Sequence, residues 1–253
     1  DNCGVSTVVN DYNNTSDASD TYPVGTTTVT WTVTDNSGNS STDTQDITVT
    51  DDESPSITAS ADQTQTADAG SCDAVVIVSG PSSSDNCGVS TVVNDYNNTS
   101  DASDTYPVGT TTVTWTVTDI YGNISTGAQL ITIEDNNSLT IVAASDQTQT
   151  SDAGSCNAAV VVTAPFTSDN CGVASILNDY NGTSDASDTY PVGTTTVSWT
   201  VTDIYGNTAI DTQDITVTDD ESPSITTAAD QTQTADAGSC DAAVTVSGPS
   251  TSD

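Results

Sequence analysis

The sequence predicts an all-β chain of tandem antiparallel β-sandwich domains, one per 84 residues, set end to end. Three observations carry that expectation. The tetrapeptide DNCG stands at Asp1, Asp85 and Asp169, 84 residues apart each time, and Asp253 opens a fourth copy. Apolar residues alternate with threonines over strand-length runs, as in TTTVTWTVTD from Thr110 to Asp119. No segment shows a helical period. Residues 1–35 and 85–119 are identical, and the third copy differs by scattered substitutions such as YNGTS for YNNTS.

One repeat, residues 54–137, is read in order. SITASADQTQT (Ser56 to Thr66) is a polar edge strand. DAVVIVSG (Asp73 to Gly80) is a short apolar strand after the turn DAGS, and VSTVVNDY (Val89 to Tyr96) is another. YPVG (Tyr106 to Gly109) is a turn leading into the tryptophan strand. There Val113, Trp115 and Val117 face one way and the intervening threonines the other, which makes a half-buried strand with a solvated threonine face. Trp31, Trp115 and Trp199 are therefore core residues. DIYGN (Asp119 to Asn123) is a hairpin turn, and a strand returns through Leu130, Ile131 and Ile133. About seven short strands in such a length is the pattern of an immunoglobulin-like sandwich. The acid–proline linker DDESP marks a boundary. Residues 54–137 and 138–221 are then whole domains, 1–53 the back of one and 222–253 the front of another. Ends inside a repeat are expected of a window on a longer array, or of pieces that complement one another head to tail.

Composition removes whole classes of function. The chain carries 36 acids and no Lys, Arg or His, a formal charge of −36. It repels nucleic acid and anionic membranes. It lacks the usual general bases, the Schiff-base lysine and any lysine–asparagine crosslink, so no enzyme is expected. The donors that remain are carboxylates, amides, hydroxyls and carbonyls, a set that suits Ca²⁺ rather than zinc or copper. The longest apolar stretch, around Ala158 to Val162, is far too short to span a bilayer. A chain without Lys or Arg is also inert to trypsin-like proteases.

Each repeat has one GSC and one DNC cysteine, fifteen residues apart. Fixed spacing in a chain of secreted character suggests one disulfide per repeat, Cys72 with Cys87 and Cys156 with Cys171. Buried free thiols are the alternative. Cys3 and Cys240 have no partner at that spacing inside the chain; Cys240 meets it only if Asp253 and Asp1 are superposed.

The string GSC…SDNCGV…YPVGTTTVTWTVTDxxGN…ITVTD resembles the hyalin repeat (HYR) domain. The resemblance covers nearly the whole chain. It implies immunoglobulin-like domains in extracellular adhesion, and tandem arrays such as those of giant gliding-type surface adhesins of Bacteroidetes. Many HYR repeats carry a second cysteine pair on the first and last strands. Both members are missing here, which supports pairing of the two that remain.

The acids cluster at the linkers. In a sandwich strung from pole to pole, the turn between the last two strands returns to the entry pole. Asp119 and Asn123 should then lie near Asp51, Asp52 and Glu53, and Asp203 and Asn207 near Asp135 and Asn136; Asp219, Asp220 and Glu221 form the next linker. Neighbouring carboxylates repel, and Ca²⁺ converts the repulsion into attraction. Ca²⁺ is thus expected at the linkers, stiffening them, with solvated acids that only aid solubility as the alternative. The middle linker reads EDNNSL where the others read DDESP, so weaker metal binding and a looser hinge are expected there.

The expected function is a structural shaft of an extracellular filament or long surface adhesin. Its partners are neighbouring repeats and other copies in a filament. The runner-up is an adhesive module for a surface glycan or host surface. That reading needs loops that vary between repeats, whereas NDYNNTSDASD is nearly invariant. Ice binding by the threonine rows is a weaker alternative. Sequons at Asn13, Asn39, Asn97, Asn123 and Asn181 are expected to be silent.

Overall fold

The computed structural model describes residues 2–252. Asp1 and Asp253, whose superposition sets the spacing of the terminal cysteines, lie outside them. Every regular element among the described residues is a strand. The first copy supplies β1 (Val5–Asn10), β2 (Gly25–Asp35) and β3 (Ser40–Val49) as one antiparallel sheet in the order β1-β2-β3. The next supplies β4 (Ser56–Thr58), β5 (Gln63–Thr66), β6 (Asp73–Val76), β7 (Ser82–Ser84), β8 (Val89–Asn94), β9 (Asp104–Pro107), β10 (Gly109–Asp119) and β11 (Ile124–Glu134). These form sheets β5-β11-β10-β8, β4-β7 and β6-β9. The third copy repeats the plan in β12 (Thr140–Val142), β13 (Gln147–Thr150), β14 (Asn157–Val160), β15 (Phe166–Ser168), β16 (Val173–Asn178), β17 (Asp188–Pro191), β18 (Gly193–Asp203) and β19 (Thr208–Thr218). Last come β20 (Ser224–Thr226) and β21 (Ser250–Ser252), paired with each other.

By contacts the chain divides into two compact units, Asp1–Gln65 with Asp73–Glu134, and Thr66–Cys72 with Asp135–Asp253. In the first, Val113, Trp115 and Val117 on β10 are fully buried, as are Ala74, Val76 and Tyr106. In the second, Val197 and Trp199 cluster with Ala158, Val160 and Tyr190, and Val201 is buried as well. The period-2 pattern of the long strands thus becomes one dry face each, and the threonines pair across the other, as in Thr110 with Thr132 at 3.1 Å.

Four details depart from expectation. The segment 56–66 is two strands: β4 pairs with β7, while β5 joins β11. Its counterpart β13 lies parallel to β19. A polar strand without a continuous apolar stripe has no register to hold it on one sheet, and it crosses to the other. The turn YPVG is half strand: Tyr106 and Pro107 belong to β9 and pair with β6. Tyr106 is fully buried, stacks on Tyr96 at 4.3 Å and donates its hydroxyl to the Ala102 carbonyl at 2.6 Å. A serine strand, β7, brings the count to eight. Trp31 is only half-buried, because residues 1–49 supply three strands and no counterpart of β5 or β6. Conversely Val244 and Val246 are 46% and 76% exposed where their equivalents Val76 and Val78 are 1% and 6%.

Candidate acidic cation site

Each hairpin turn after a tryptophan strand is organised by its aspartate. Asp119 Oδ1 accepts the backbone N–H groups of Tyr121, Gly122 and Asn123 at 2.8, 2.6 and 2.9 Å, and Oδ2 accepts Asn123 Nδ2 at 2.7 Å. Gly122 holds φ 97°, a left-handed value open to glycine. Burial pushes the Asp119 carboxyl up, but the bonds from Asn123, Tyr121 and Gly122 outweigh it and leave it below its ordinary value. Asp203 and Asn207 repeat the arrangement, with the same balance.

The same asparagine reaches the linker. Asn123 Nδ2 donates to the Asp51 carbonyl, and Asn207 Nδ2 to the Asp135 carbonyl, both at 3.2 Å. Turn and linker therefore meet within each unit. Asp51, Asp85 and Asp119 offer carboxylate oxygens that all lie within 4.8 Å of one another. The second group at that distance is Asp135, Asp169 and Cys171, and Asp203 is not in it.

The cluster is not the set of residues the sequence suggests. Asp52, Glu53 and Asn136 are exposed, with Asp52 and Glu53 outside the grouped acids, and Asp219, Asp220 and Glu221 are exposed too. Asn123 and Asn207 spend their amides on positioning. The added member is the aspartate of DNCG, Asp85 or Asp169. Its signal was present in the repeat itself: an acid two residues before a glycine-flanked cysteine, kept in every copy.

The four half-buried or buried acids share one pattern. One oxygen of each is capped by backbone amides: Asp85 by Cys87 and Gly88 at 2.8 and 3.0 Å, Asp169 by Cys171 and Gly172 at 2.8 and 3.0 Å, Asp51 by Glu53 at 3.3 Å, Asp135 by Asn137 at 3.0 Å. The other oxygen of each, Asp51 Oδ2, Asp85 Oδ2, Asp135 Oδ2 and Asp169 Oδ1, is buried with no hydrogen-bond partner. Buried bare carboxylate oxygens on grouped acids are costly unless a cation joins them. The chain has no basic side chain to do so. Oxygen donors alone fit Ca²⁺.

The thiols lie beside these acids. Cys87 is free, and its thiol is pushed up first by burial and then by the nearby acids Asp51, Asp85 and Asp119. Cys171 is bonded to Cys72, 99 residues earlier. This corrects the expected pairs Cys72–Cys87 and Cys156–Cys171, since Cys87 and Cys156 are both free. The residues between Cys156 and Cys171 form β14 and β15, which pair with β17 and β12 and not with each other. No hairpin brings those two thiols together, so the fifteen-residue spacing is a run along the sandwich.

The loop NDYNNTSDASD consumes its own polar groups. Asn94 is 2% exposed, donates to Asn97 Oδ1 and the Thr99 carbonyl at 2.9 and 2.7 Å, and accepts from the amides of Tyr96 and Asn97. Asn97 in turn donates to the Asp101 carbonyl at 2.9 Å, and Asn181 does the same with Asp185. These sequon amides, like that of Asn123, are already engaged. Tyr121 is 47% exposed, whereas Tyr96 packs on Tyr106.

Fold and site together define a tandem array of immunoglobulin-like β-sandwich repeats with acids gathered under a hairpin turn. The chain belongs to the HYR domain family, whose model matches residues 1–49, 50–133 and 135–218. It is similar to hyalin of Strongylocentrotus purpuratus, 32% identical over 196 residues, covering 75% of this chain and 16% of that protein. It is also similar to hyalin of Lytechinus variegatus, 31% identical over 261 residues, covering all of this chain and 47% of that one. The chain thus spans less than half the length of either hyalin. Among solved structures it is similar to protocadherin gamma B2 extracellular cadherin domains 1–5, at 14% identity and TM-score 0.31 over 79% of this chain and 47% of that one. Fibronectin(III)-like modules of Clostridium thermocellum CbhA give 15% identity and TM-score 0.27 over 65% and 94%.

Proposed function

We propose that this chain is part of a structural shaft, a spacer of stacked HYR repeats in an extracellular filament or long surface adhesin, stiffened by Ca²⁺ at its linkers. The observation that carries the calcium reading is the set of four buried carboxylate oxygens without a donor. Asp51, Asp85 and Asp119 would hold one ion and Asp135 and Asp169, with Asp203 close to the linker through Asn207, a second. The middle site has one carboxylate fewer in its close group, and Cys171 offers no thiolate there because it is bonded to Cys72. It should bind more weakly, in keeping with its EDNNSL linker. The proposed domain limits are 1–53, 54–137, 138–221 and 222–253. Giant gliding-type adhesins of Bacteroidetes are the kind of array in which such a shaft would serve.

The spacer role rests on near-identical copies in which the buried Asn94 and its partner Asn97 of the most polar loop spend their amides inside that loop. A glycan-binding module would need free donors and exposed stacking rings that differ between copies. The test is a thermal melt of the full chain in millimolar Ca²⁺ and in EDTA. A large upward shift of the melting temperature with Ca²⁺ is expected. The same melting temperature in both would mean that the acids are only a solvated, charged surface.

A further inference from the structure

The bridge from Cys72 to Cys171 is not confined to one repeat. Cys72 lies in the family match 50–133 and Cys171 in the match 135–218. It joins the GSC cysteine of one copy to the DNCG cysteine of the next. Its surroundings are built for this. The Ser71 carbonyl accepts Asn170 Nδ2 of the next DNCG at 2.6 Å, and Asn137 Nδ2 of the next linker at 3.3 Å. One copy further on, the GSC turn is held by the equivalent linker position: Gly154 N donates to Glu221 Oε2 at 2.8 Å. Two successive GSC turns therefore dock on the linker that follows, through a residue at the same place in the repeat.

The remaining cysteines obey the same 99-residue step. Cys3 and Cys87 are DNCG cysteines whose GSC partner would precede residue 1. Cys156 and Cys240 are GSC cysteines whose DNCG partner would follow residue 253. These are the four free cysteines, and the chain holds no other pair 99 residues apart. A following copy whose Asp1 takes the place of Asp253 sets its Cys3 at that distance from Cys156, and its Cys87 at that distance from Cys240.

We propose that the disulfide of this repeat is a staple between successive copies, GSC of one to DNCG of the next, so that oxidation makes the array one covalently crosslinked ladder. The free thiols are half-bridges for a following or preceding copy, in the same chain or in another. Closing one converts two thiols to a disulfide with loss of two protons and two electrons. A small disulfide oxidant takes the electrons by exchange and leaves as two thiols.

Cleavage before aspartate reads the pairing directly. Cys171 falls in DNCGVASILN (169–178), Cys72 and Cys240 in the pentapeptide DAGSC, and Cys156 in its own long fragment, 152–168. The full chain is oxidised with glutathione disulfide, alkylated, digested without reductant and weighed by mass spectrometry. The expected product is DNCGVASILN joined to DAGSC, retained in Cys240→Ser and lost in Cys72→Ser. DNCGVASILN joined to 152–168 would overturn the proposal, as would Cys171 alkylated as a free thiol. A tandem of two full chains, with the second Asp1 replacing Asp253, tests the extension. Fragment 152–168 should now be joined to DNCGVSTVVN. The second chain's own fragment 152–168 has no following copy and stays alkylated; if all of it is alkylated, or any is joined to DNCGVASILN, the staple is not a rule of the array.

Discussion

Replacing Asp85 by asparagine separates a cation site from a patch of solvated acid by the sign of its effect. Asp85 Oδ1 accepts the amides of Cys87 and Gly88, and an asparagine oxygen keeps both bonds. Only Oδ2, buried and bare, is changed, from an anionic acceptor to a donor. Without metal, Asp51 and Asp85 oppose each other at no more than 4.8 Å. Two charges at that distance repel by about 0.9 kcal/mol in bulk water and about 3.5 kcal/mol at an effective dielectric near 20. Asp85→Asn removes that repulsion and adds a donor, so in EDTA the variant should melt higher. About 1 kcal/mol corresponds to roughly 4–8 °C in a domain of this size. With Ca²⁺ at about one hundred times its dissociation constant, the wild type gains about 2.7 kcal/mol. The variant, short of a ligand, should lose most of that gain. Tryptophan fluorescence melts of both proteins, in EDTA and in Ca²⁺, give the four numbers. A variant that melts lower by the same amount in both buffers would refute the reasoning, since Asp85 would then matter only to its turn.

Three further outcomes are expected. Tyr106 and Tyr190 are pushed up to about 12, first by burial and then by the charge of their stacked partners Tyr96 and Tyr180. The unfolded phenols ionise from about pH 10, so stability should hold below pH 10 and fall between pH 10 and 12; melts of Tyr106→Phe with Tyr190→Phe should show a flatter fall. Asn98 sits at φ 60° and its counterpart in the third copy is Gly182 at φ 74°. Asn98→Gly should be within a few tenths of a kcal/mol of wild type and Asn98→Val should cost about 1–2 kcal/mol, measured by urea midpoints. Asn94→Ala strands the Tyr96 and Asn97 amides, both on half-buried residues, while the Thr99 carbonyl keeps the residue-94 backbone N–H; it should lower the urea-derived stability by about 2–4 kcal/mol.

The sequence alone determined what depends on near neighbours. Strict alternation made β10 and β18 strands with one dry face, because side chains on a strand alternate by geometry. Asp-x-x-Gly-Asn made the turns, since Asp119 caps amides only two to four residues away. The absence of Lys, Arg and His left oxygen donors and cysteine thiols as the only cation ligands. Strand limits were less legible where the pattern was polar: nothing in SITASADQTQT says that β4 and β5 leave for different partners, because no apolar stripe commits either to a face. Tyr106 looked like a turn residue because Pro107 follows it, and its pairing opposite Ala74 of β6, its stacking on Tyr96 and its bond to Ala102 hold it in a strand. The acid site needed the tertiary structure, because Asp85 reaches Asp51 and Asp119 from a separate stretch of chain and the linker's Asp52 and Glu53 stay exposed and outside the group. The disulfide needed it most. Spacing counts residues along the chain, while a bond depends on distance in space, and the fifteen residues after each GSC lead away from it along strands that pair elsewhere. The thiol that meets Cys72 is therefore Cys171, in the next copy.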